Sequence, residues 1–492
     1  MEFPSVVQFL ENKTIFVTGV TGFLAKLFVE KILRVQPNVK KLYLLLRAAD
    51  AISANNRFQN EVIEKELFRV AKAKFGASLN SLISKKVTVI CGDVSFHDLG
   101  IKDSSLVQEM KNELDLILNF AATTTFDERY DVAFGTNTMG ANNVLCFAKS
   151  CKKLKLLSHI STAYVCGEKS GVILEKPYGL NETLNGIVGL NIEKEKILID
   201  QKLDELLAQG ATEITIKETM KDLGSQRAKL YGWPNTYVFT KAMGEMVLGH
   251  FKENLPVVII RPTMVTSTYK EPFPGWIEGA RTIDALTVGY GRGKLTFFVV
   301  DLAAIVDVIP ADMVVNAIIL AMAAHANQAY DNFIYHVGSS LRNPIKYSNF
   351  EDYLYQYFTK NPCIGKNGKS IKISKILILK NMSQFHRYVA LRYSPLLKGL
   401  KLANTLSCHY LQSKYNTANR KIKFAKRLVE LYKPYLFFQG IFDDSSTEKL
   451  WILAKKNCVE SNVFFLDIES IDWEEYFMNI HIPGIVKYVI RP

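Results

Sequence analysis

Cysteine is scarce in this chain of 492 residues and never clusters. The seven cysteines are scattered and none belongs to a Cys-x-x-Cys pair, so the sequence predicts neither a disulfide framework nor a zinc site. Long hydrophobic runs are missing as well. The nearest candidate, residues 313–326, is shorter than the ~18 apolar residues that a membrane-spanning helix needs. We therefore expect a protein without a bound metal and without a transmembrane helix.

Acidic residues are nearly absent from one segment, residues 366–433. This segment contains sixteen lysines and arginines and one acid, Glu430, whereas the whole chain carries a net charge of +13. The rest of the chain is therefore slightly acidic. Aliphatic and aromatic residues are interleaved with the charges, so we predict a surface for anionic lipid or an acidic substrate, with a solvated helical face as the alternative. No recognition motif accompanies the charge, so nucleic acid is not an expected partner.

The remaining composition is that of a globular protein, 48% hydrophobic and 22% charged, and its length suggests two domains. In the first part of the chain, strand-like apolar runs alternate with helical patterns. The strand-like runs are residues 14–18, 42–47, 87–94, 114–122 and 154–162. Residues 22–34 have helical periodicity, and residues 135–149 are also helix-like. This alternation predicts an α/β fold with a parallel sheet covered by helices on both faces.

A glycine turn, GVTGFLAK, joins the first strand to the first helix. Gly19 permits a tight turn, and Gly22 lets the backbone approach a pyrophosphate held by the amides at the helix N-terminus. Ala25 is the small residue that brings the helix close to the sheet. A plain strand-to-helix turn is the alternative, but the position after the first strand favours a dinucleotide site. Its candidate residues are Gly19, Thr21, Gly22, Phe23 and Leu24.

The end of the second strand indicates which dinucleotide binds. An acid is usual there when the ligand is NAD, because it holds the ribose 2′-hydroxyl. This chain has Arg47 instead, and Asp50 follows three residues later. A guanidinium suits a 2′-phosphate, so NADPH is the predicted cofactor, with a simple surface charge as the alternative interpretation of Arg47.

A second motif, YVFTK, carries candidate catalytic groups. Tyr237 and Lys241 are four residues apart and lie on one helix face. A neighbouring ammonium is expected to lower the pKa of the Tyr237 phenol, which could then protonate a developing alkoxide. Ser161 and Thr162 follow the fifth strand, where a hydroxyl can donate to a carbonyl oxygen beside the tyrosine.

These motifs together resemble those of the extended short-chain dehydrogenase/reductases. The resemblance assigns Lys241 to the nicotinamide ribose and Asp93 to the neighbourhood of the adenine. Matching TAYVCG to the family pattern places Thr162, rather than Ser161, at the hydroxyl position. Further cofactor-site residues implied by the resemblance are Val94, Asn119, Ala121, Ala122, Asn137, Pro262 and Thr263.

The sequence further resembles the plant alcohol-forming fatty acyl-coenzyme A reductases, from about Lys13 to the C-terminus. The resemblance is carried by segments such as ATTTFDERYDVA, GWPNTYVFTKAMGE, EPFPGWIEG and PYLFFQGIFDDSSTEKL. It implies a Rossmann reductase domain at 1–355 with a helical insertion near 168–233. A smaller, mainly helical domain is expected at 356–492, and it includes the basic segment.

The resemblance also implies an activity. Members reduce a long-chain acyl-CoA to a primary alcohol through an aldehyde, with two NADPH and release of CoA, for wax, cutin or suberin lipids. They do so usually at the endoplasmic reticulum, which favours peripheral membrane binding by the basic segment. Recruitment of CoA phosphates is the competing role for these charges. The alternative functions are a sugar-nucleotide epimerase, a hydroxysteroid dehydrogenase or a non-catalytic NADPH-binding scaffold.

Overall fold

The computed structural model describes residues 5–326, 333–365, 367–407, 409–457 and 460–490. The strands in this part of the chain are β1 (Thr14–Thr18), β2 (Lys41–Leu46), β3 (Val87–Cys91), β4 (Leu116–Asn119), β5 (Leu156–Ile160), β6 (Gly171–Ile173), β7 (Val257–Pro262), β8 (Met264–Thr266), β9 (Phe297–Val299), β10 (Val308–Pro310), β11 (Ile334–Val337), β12 (Leu377–Leu379) and β13 (Gly440–Phe442).

The α-helices are α1 (Val6–Leu10), α2 (Phe23–Val35), α3 (Ala51–Phe58), α4 (Arg69–Phe75), α5 (Ser78–Lys86), α6 (Ser104–Glu113), α7 (Tyr130–Ala133), α8 (Gly140–Lys149), α9 (Ile192–Ala208), α10 (Glu213–Leu230), α11 (Thr236–Phe251), α12 (Ile283–Gly291), α13 (Ala311–His325), α14 (Tyr347–Lys360), α15 (Met382–Arg392), α16 (Ser394–Leu406), α17 (Gln412–Leu436), α18 (Ser445–Asn457), α19 (Trp473–Glu475) and α20 (Ile482–Ile485). Short 3₁₀ or π segments lie at Gln59–Ile63, Glu66–Phe68, His97–Gly100, Phe134–Met139, Ala163–Cys166, Tyr476–His481 and Val486–Ile490.

Seven of these strands form one parallel sheet in the order β3-β2-β1-β4-β5-β7-β11. The chain reverses its direction of growth between β1 and β4, and the carboxyl ends of the strands at such a point form the usual ligand crevice. The predicted doubly wound, Rossmann-type fold is therefore confirmed. Each predicted strand run contains one strand of this sheet, although residues 92–94 and 120–122 have left the sheet and form loops at its carboxyl edge.

The sheet is buried on both faces because alternate side chains enter different cores. In β1, Ile15 and Val17 belong to the large core, whereas Phe16 points into a second core on the opposite face. Helices α2 and α13 pack on the first side, and α8 packs against β4 and β5. A continuous apolar strand such as TIFVT is what a sheet covered on both faces requires.

The C-terminal part packs onto the reductase part of the chain. Strand β13 pairs with β6, β12 pairs with β9, and α18 packs against α13 and β11. The large core extends from Val6 to Ile482, so both parts of the chain contribute to it. A smaller core joins Val299 to Leu379 and to Phe385 of α15. The domain boundary at 355 and 356 stays a prediction.

The region 168–233 contains the two long helices α9 and α10, together with β6. Its buried anchor is Glu195, which accepts a hydrogen bond from the Tyr130 hydroxyl at 2.8 Å and pairs with Arg227. None of the helices in the described part of the chain combines the length and the apolar composition that crossing a membrane requires.

Candidate active site

The glycine turn after β1 has the geometry of a dinucleotide site. Gly19 has φ +70°, and a Cβ there would lie 2.7 Å from the backbone nitrogen of Ala121, so the turn and the loop after β4 touch through glycine. Gly22 is the N-cap of α2, and no side chain caps the helix. The first amides of α2 therefore lack side-chain partners, which is the arrangement that binds a pyrophosphate. The residues present fit a dinucleotide cofactor.

The end of β2 carries two guanidinium groups. Arg47 is exposed and lines the same cavity as Arg57, which donates to the Arg47 carbonyl oxygen at 2.5 Å and pairs with Glu61. Asp50 is instead the N-cap of α3, where its carboxylate accepts from the Ser53 amide at 2.7 Å. Asp50 is thus committed to a helix end, and Glu61 is committed to Arg57. Sequence reasoning missed Arg57, because a residue in the last turn of α3 has no fixed spacing from the strand.

A single cavity of about 730 Å³ brings most of the predicted site residues together. Both predicted hydroxyls, Ser161 and Thr162, line it, and Ala25 of the glycine turn does so too. The predicted cofactor residues that line it are Gly19, Thr21, Gly22, Phe23, Leu24, Arg47, Asp93, Val94, Ala121, Ala122, Tyr237, Lys241, Pro262 and Thr263. Their roles stay predictions, but their convergence from seven segments of the chain follows from the parallel topology.

Asn119 and Asn137 do not line this cavity but lie behind its wall, and their assignment to the cofactor site stays a prediction. Asn119 accepts from the Thr18 hydroxyl at 2.7 Å and its amide lies 3.1 Å from His159 Nδ1. Asn137 accepts from the Thr123 amide at 3.0 Å and donates to Thr240 Oγ1 at 3.0 Å. Both amides are buried, and burial of an amide requires such partners, which the neighbouring elements supply.

Tyr237 is the second residue of helix α11, whose N-cap Asn235 accepts from the Val238 amide at 3.1 Å. The Tyr237 ring stacks on Phe126, with ring centroids 6.1 Å apart. Part of the side chain faces the cavity, but protein atoms surround its phenol oxygen, and this burial raises its pKa to about 12. A hydrogen bond with Thr162 and the charge of Arg281 oppose the shift. The prediction that the Lys241 ammonium lowers this pKa was wrong, because desolvation outweighs the favourable charges.

Lys241 lies fully buried one turn further along α11. Its Nζ donates to the Ile160 carbonyl oxygen at 2.6 Å and lies 3.3 Å from His159 Nε2. Burial lowers the pKa of Lys241 to about 8, and the charge of Glu245 opposes this shift. Burial and the nearby ammonium also lower the pKa of His159 well below its usual value, so this ring is neutral. A neutral imidazole has a single acceptor nitrogen, and His159 presents Nδ1 to the Asn119 amide and Nε2 to the Lys241 ammonium.

The two candidate hydroxyls differ in their bonding. Thr162 caps the 3₁₀ turn that follows it, since its Oγ1 accepts from the Tyr164 amide at 3.3 Å, and it also bonds with Tyr237. Ser161 Oγ is buried and has no hydrogen-bond partner among the described residues. A buried hydroxyl at the cavity wall without a partner is suited to donate to a substrate oxygen.

Comparison with known proteins identifies the family. Residues 17–318 match a NAD-binding family model and residues 398–492 a second model, both described as Male sterility protein. The alcohol-forming fatty acyl-CoA reductase of Simmondsia chinensis is 54% identical over 491 residues, which cover 100% of both chains. Probable fatty acyl-CoA reductase 4 of Arabidopsis thaliana is 55% identical over 99% of both chains. The chain belongs to the fatty acyl-CoA reductases.

A solved structure extends the comparison of this fatty acyl-CoA reductase to its fold. The terminal R domain from the myxalamid PKS-NRPS pathway superimposes with a TM-score of 0.52 and 17% identity, covering 93% of this chain and 90% of that one. This likeness shows the fold alone. It agrees with the parallel sheet and its flanking helices.

The cavity wall of this fatty acyl-CoA reductase has a second part that sequence reasoning missed. Four residues of the C-terminal helix α17 line the cavity: Leu428, Leu431, Tyr432 and Tyr435. Tyr435 stacks on Phe126 with ring centroids 4.9 Å apart, and its hydroxyl accepts from Asn235 Nδ2 at 2.9 Å. About 200 residues separate these partners in sequence. The i, i+3, i+4, i+7 spacing of the four residues was the available signal, but it does not say what the helix packs against.

The segment after β8 closes the opposite side of the reductase cavity. Trp276 stacks on Phe23 with ring centroids 5.0 Å apart, and Glu278 pairs with the buried Lys26 at 2.6 Å. Both partners belong to α2, so this segment packs beside the helix N-terminus at which the pyrophosphate is expected. The EPFPGW run therefore packs against α2 through Trp276, and the residues that line the cavity follow it, beginning at Ile277.

Two buried groups behind the reductase site are structural. Arg261, just before Pro262, pairs with Glu245 at 2.5 Å and lies 3.4 Å from His336 Nε2. Burial lowers the pKa of His336 to about 3, so it is neutral and serves the same network. Among the described residues, no group of His, Cys, Asp and Glu side chains could hold a metal ion.

Proposed function

We propose that this chain reduces long-chain fatty acyl-CoA to a primary fatty alcohol with NADPH, through an aldehyde and with release of CoA. One observation carries the proposal: the glycine turn, the Tyr237–Lys241 pair and an apolar wall from α17 border the same cavity. A dinucleotide site beside a proton donor and an apolar wall suits reduction of an acyl group. The names of the close relatives support the same activity.

NADPH is the proposed form of the cofactor because of the groups at the end of β2. Arg47 and Arg57 provide two guanidiniums there, and such groups bind phosphate through paired hydrogen bonds. Asp50, the acid that could hold a ribose diol, is bonded to the Ser53 amide instead. Glu61 pairs with Arg57, so Arg47 is the group that the proposal assigns to the 2′-phosphate.

The protein supplies protons and hydrogen bonds, whereas the bound nicotinamide supplies the hydride. Because the pKa of Tyr237 is about 12, its phenol keeps its proton at neutral pH and can donate to the substrate carbonyl oxygen. Proton transfer is completed as that oxygen becomes an alkoxide, which is the stronger base. The hydroxyls of Thr162 and Ser161 are available to the same oxygen. Lys241 has three N–H donors, and its contacts with Ile160 and His159 leave one for the ribose.

The test is turnover of purified protein with acyl-CoAs of several chain lengths. We expect gas chromatography to detect the primary alcohol. Free CoA should be released, and two molecules of NADPH should be oxidised for each CoA. Aldehyde without alcohol would contradict the alcohol-forming step. NADPH binding without turnover on any acyl-CoA would instead support a non-catalytic scaffold.

A sugar-nucleotide epimerase or hydroxysteroid dehydrogenase is not favoured. The α17 wall is built from leucine and tyrosine side chains, which suit an acyl chain rather than a sugar. In addition, the relatives that match over the full length are fatty acyl-CoA reductases.

We further propose that the chain binds the cytosolic face of the endoplasmic reticulum through a basic-apolar surface on α15, α16 and the following turn. Five large apolar residues there are between 63% and 85% exposed, namely Leu391, Leu396, Leu402, Leu406 and Tyr410. Four exposed cations lie on the same helices, namely Arg387, Arg392, Lys398 and Lys401. Each cation near an anionic surface contributes about 1 kcal/mol, and the leucines can insert between headgroups. The choice of organelle rests on the family resemblance.

Vesicle flotation tests this surface. Replacing its four cations with Gln should reduce flotation with anionic vesicles, and exchanging Leu402 and Leu406 for Ser should reduce it further. A control neutralises four exposed lysines elsewhere: Lys152, Lys153, Lys176 and Lys229. Unchanged flotation with a raised KM for acyl-CoA would instead assign the charges to CoA phosphates. Colocalisation of a tagged protein with an endoplasmic reticulum marker tests the organelle.

A further inference from the structure

We call the side of the cavity that α17 forms its acyl half. It is lined by one face of this helix, through Leu428, Leu431, Tyr432 and Tyr435. We propose that the acyl chain of the substrate runs along this face, and that Leu428 and Leu431 limit the chain length that is accepted. The proposal rests on the proposed function, since it names the part of the cavity that receives the acyl group.

The helix has two apolar faces with different partners, which fixes the face that meets the cavity. Ile422, Val429 and Phe437, at its end, pack against the small core formed by Val299, Leu379, Phe385 and Val389. Leu428, Leu431, Tyr432 and Tyr435 follow the i, i+3, i+4, i+7 pattern on another face and line the cavity. Rotation of α17 about its axis would separate both sets from their partners, so packing on the small core sets which face meets the cavity.

The cavity face leads from the reacting centre towards solvent. Tyr435 is 7% exposed and stacks on Phe126, which in turn stacks on Tyr237. Leu428, two turns earlier in the helix, is 40% exposed. Seven residues of α-helix span about 10 Å, so this face offers a stretch long enough for many methylenes. A carbonyl at Tyr237 thus places the chain along Tyr435 and Leu431 towards Leu428.

Polar contacts hold this helix in a fixed register beside the catalytic elements. Near its C-terminal end, the Tyr435 hydroxyl accepts from Asn235, the residue that caps the catalytic helix α11. Near Leu428, Arg427 pairs with Asp127 at 2.9 Å, and Lys221 of α10 approaches the same carboxylate at 3.5 Å. Because α17 is held at both places and both side chains line the cavity, a larger side chain at 428 or 431 can extend into the cavity space.

The test compares product profiles after incubation with a mixture of acyl-CoAs. Leu428→Trp and Leu431→Phe should shift the alcohols towards shorter chains, since each methylene that loses its contact lowers kcat/KM about fourfold. Leu428→Ala should shift them in the opposite direction. Val429→Leu is the matched control, because it enlarges a neighbouring residue on the other face. It should lower thermal stability without changing the profile.

A binding experiment separates this proposal from the proposed function. An acyl-CoA with a diazirine at its terminal carbon should crosslink to the peptide that contains Leu428 and Leu431, whether or not turnover occurs. Crosslinks to other cavity segments only, or an unchanged profile in variants that fold and turn over, would overturn the proposal. Absence of turnover in the unmodified protein, with the expected crosslink, would overturn the function but not the acyl path.

Discussion

The two halves of the cavity are built in different ways. The nucleotide half comes from strand ends and the first turns of helices, with Gly19, Arg47 and Asp93 each following its own strand. The acyl half comes from α17, which follows the sheet-forming motifs at a long distance in sequence. The helical insertion at 168–233 lies between Thr162 and Tyr237 in sequence, yet none of its residues lines the cavity.

This difference shows that nearness in sequence to the sheet motifs does not predict which residues line the acyl half of the cavity. A parallel sheet forces its strand ends to one edge, so motifs after strands meet whatever their spacing. No such rule applies to α17, which reaches the cavity through side-chain packing and two polar contacts. Changes in the nucleotide half should therefore alter chemistry and cofactor choice, while changes in the acyl half should alter substrate choice.

Tyr237→Phe, at the junction of the halves, should have the largest effect. Loss of the proton donor should lower kcat for alcohol formation by about 10²–10⁴, while NADPH affinity remains. Tyr432→Phe is the control from the acyl half and should keep most of the activity. Steady-state kinetics with cofactor titration measure both, and full activity in Tyr237→Phe would disprove its assigned role.

The two hydroxyls provide the second comparison. Thr162→Val should reduce kcat by about 10², because Thr162 also bonds with Tyr237 and lowers the pKa of its phenol. Ser161→Ala should reduce it by about tenfold. Single-turnover rates with saturating NADPH measure the chemical step. A larger loss in Ser161→Ala would transfer the main role to the serine, whose hydroxyl has no partner among the described residues.

Arg47→Asp tests the nucleotide half at its far end. Replacing a phosphate contact with repulsion should lower the preference for NADPH over NADH by about 10–100-fold, since hydrogen bonds to charged groups contribute about 1.5–3 kcal/mol. Arg57→Gln should have a smaller effect. The ratio of kcat/KM values for the two cofactors is the readout, and an unchanged ratio would exclude Arg47 as the phosphate contact.

The pH dependence of kcat/KM should report the ionisation of Lys241. Near neutral pH this is the smallest of the predicted effects. Its pKa is lowered to about 8, so the ammonium is present below that pH and is lost above it. We expect kcat/KM to fall above about pH 8, by up to tenfold per unit. His159→Leu removes the polar ring that faces the ammonium and should move the fall to lower pH, whereas His159→Gln keeps a polar group there. Coincident profiles for all three proteins would limit His159 to packing.

The sequence by itself determined the sheet, the glycine turn after β1 and the placing of Tyr237 and Lys241 on one helix face. Strand runs, Gly19, and the Tyr237–Lys241 spacing depend on local backbone geometry and on the edge where parallel strands end. Only the tertiary structure decided the rest. The pKa of Tyr237 depends on the protein atoms around its phenol, which the four-residue spacing to Lys241 does not reveal. Likewise, α17 reaches the cavity because side chains about 200 residues apart pack together, as in the Asn235–Tyr435 contact, and such packing leaves no local pattern.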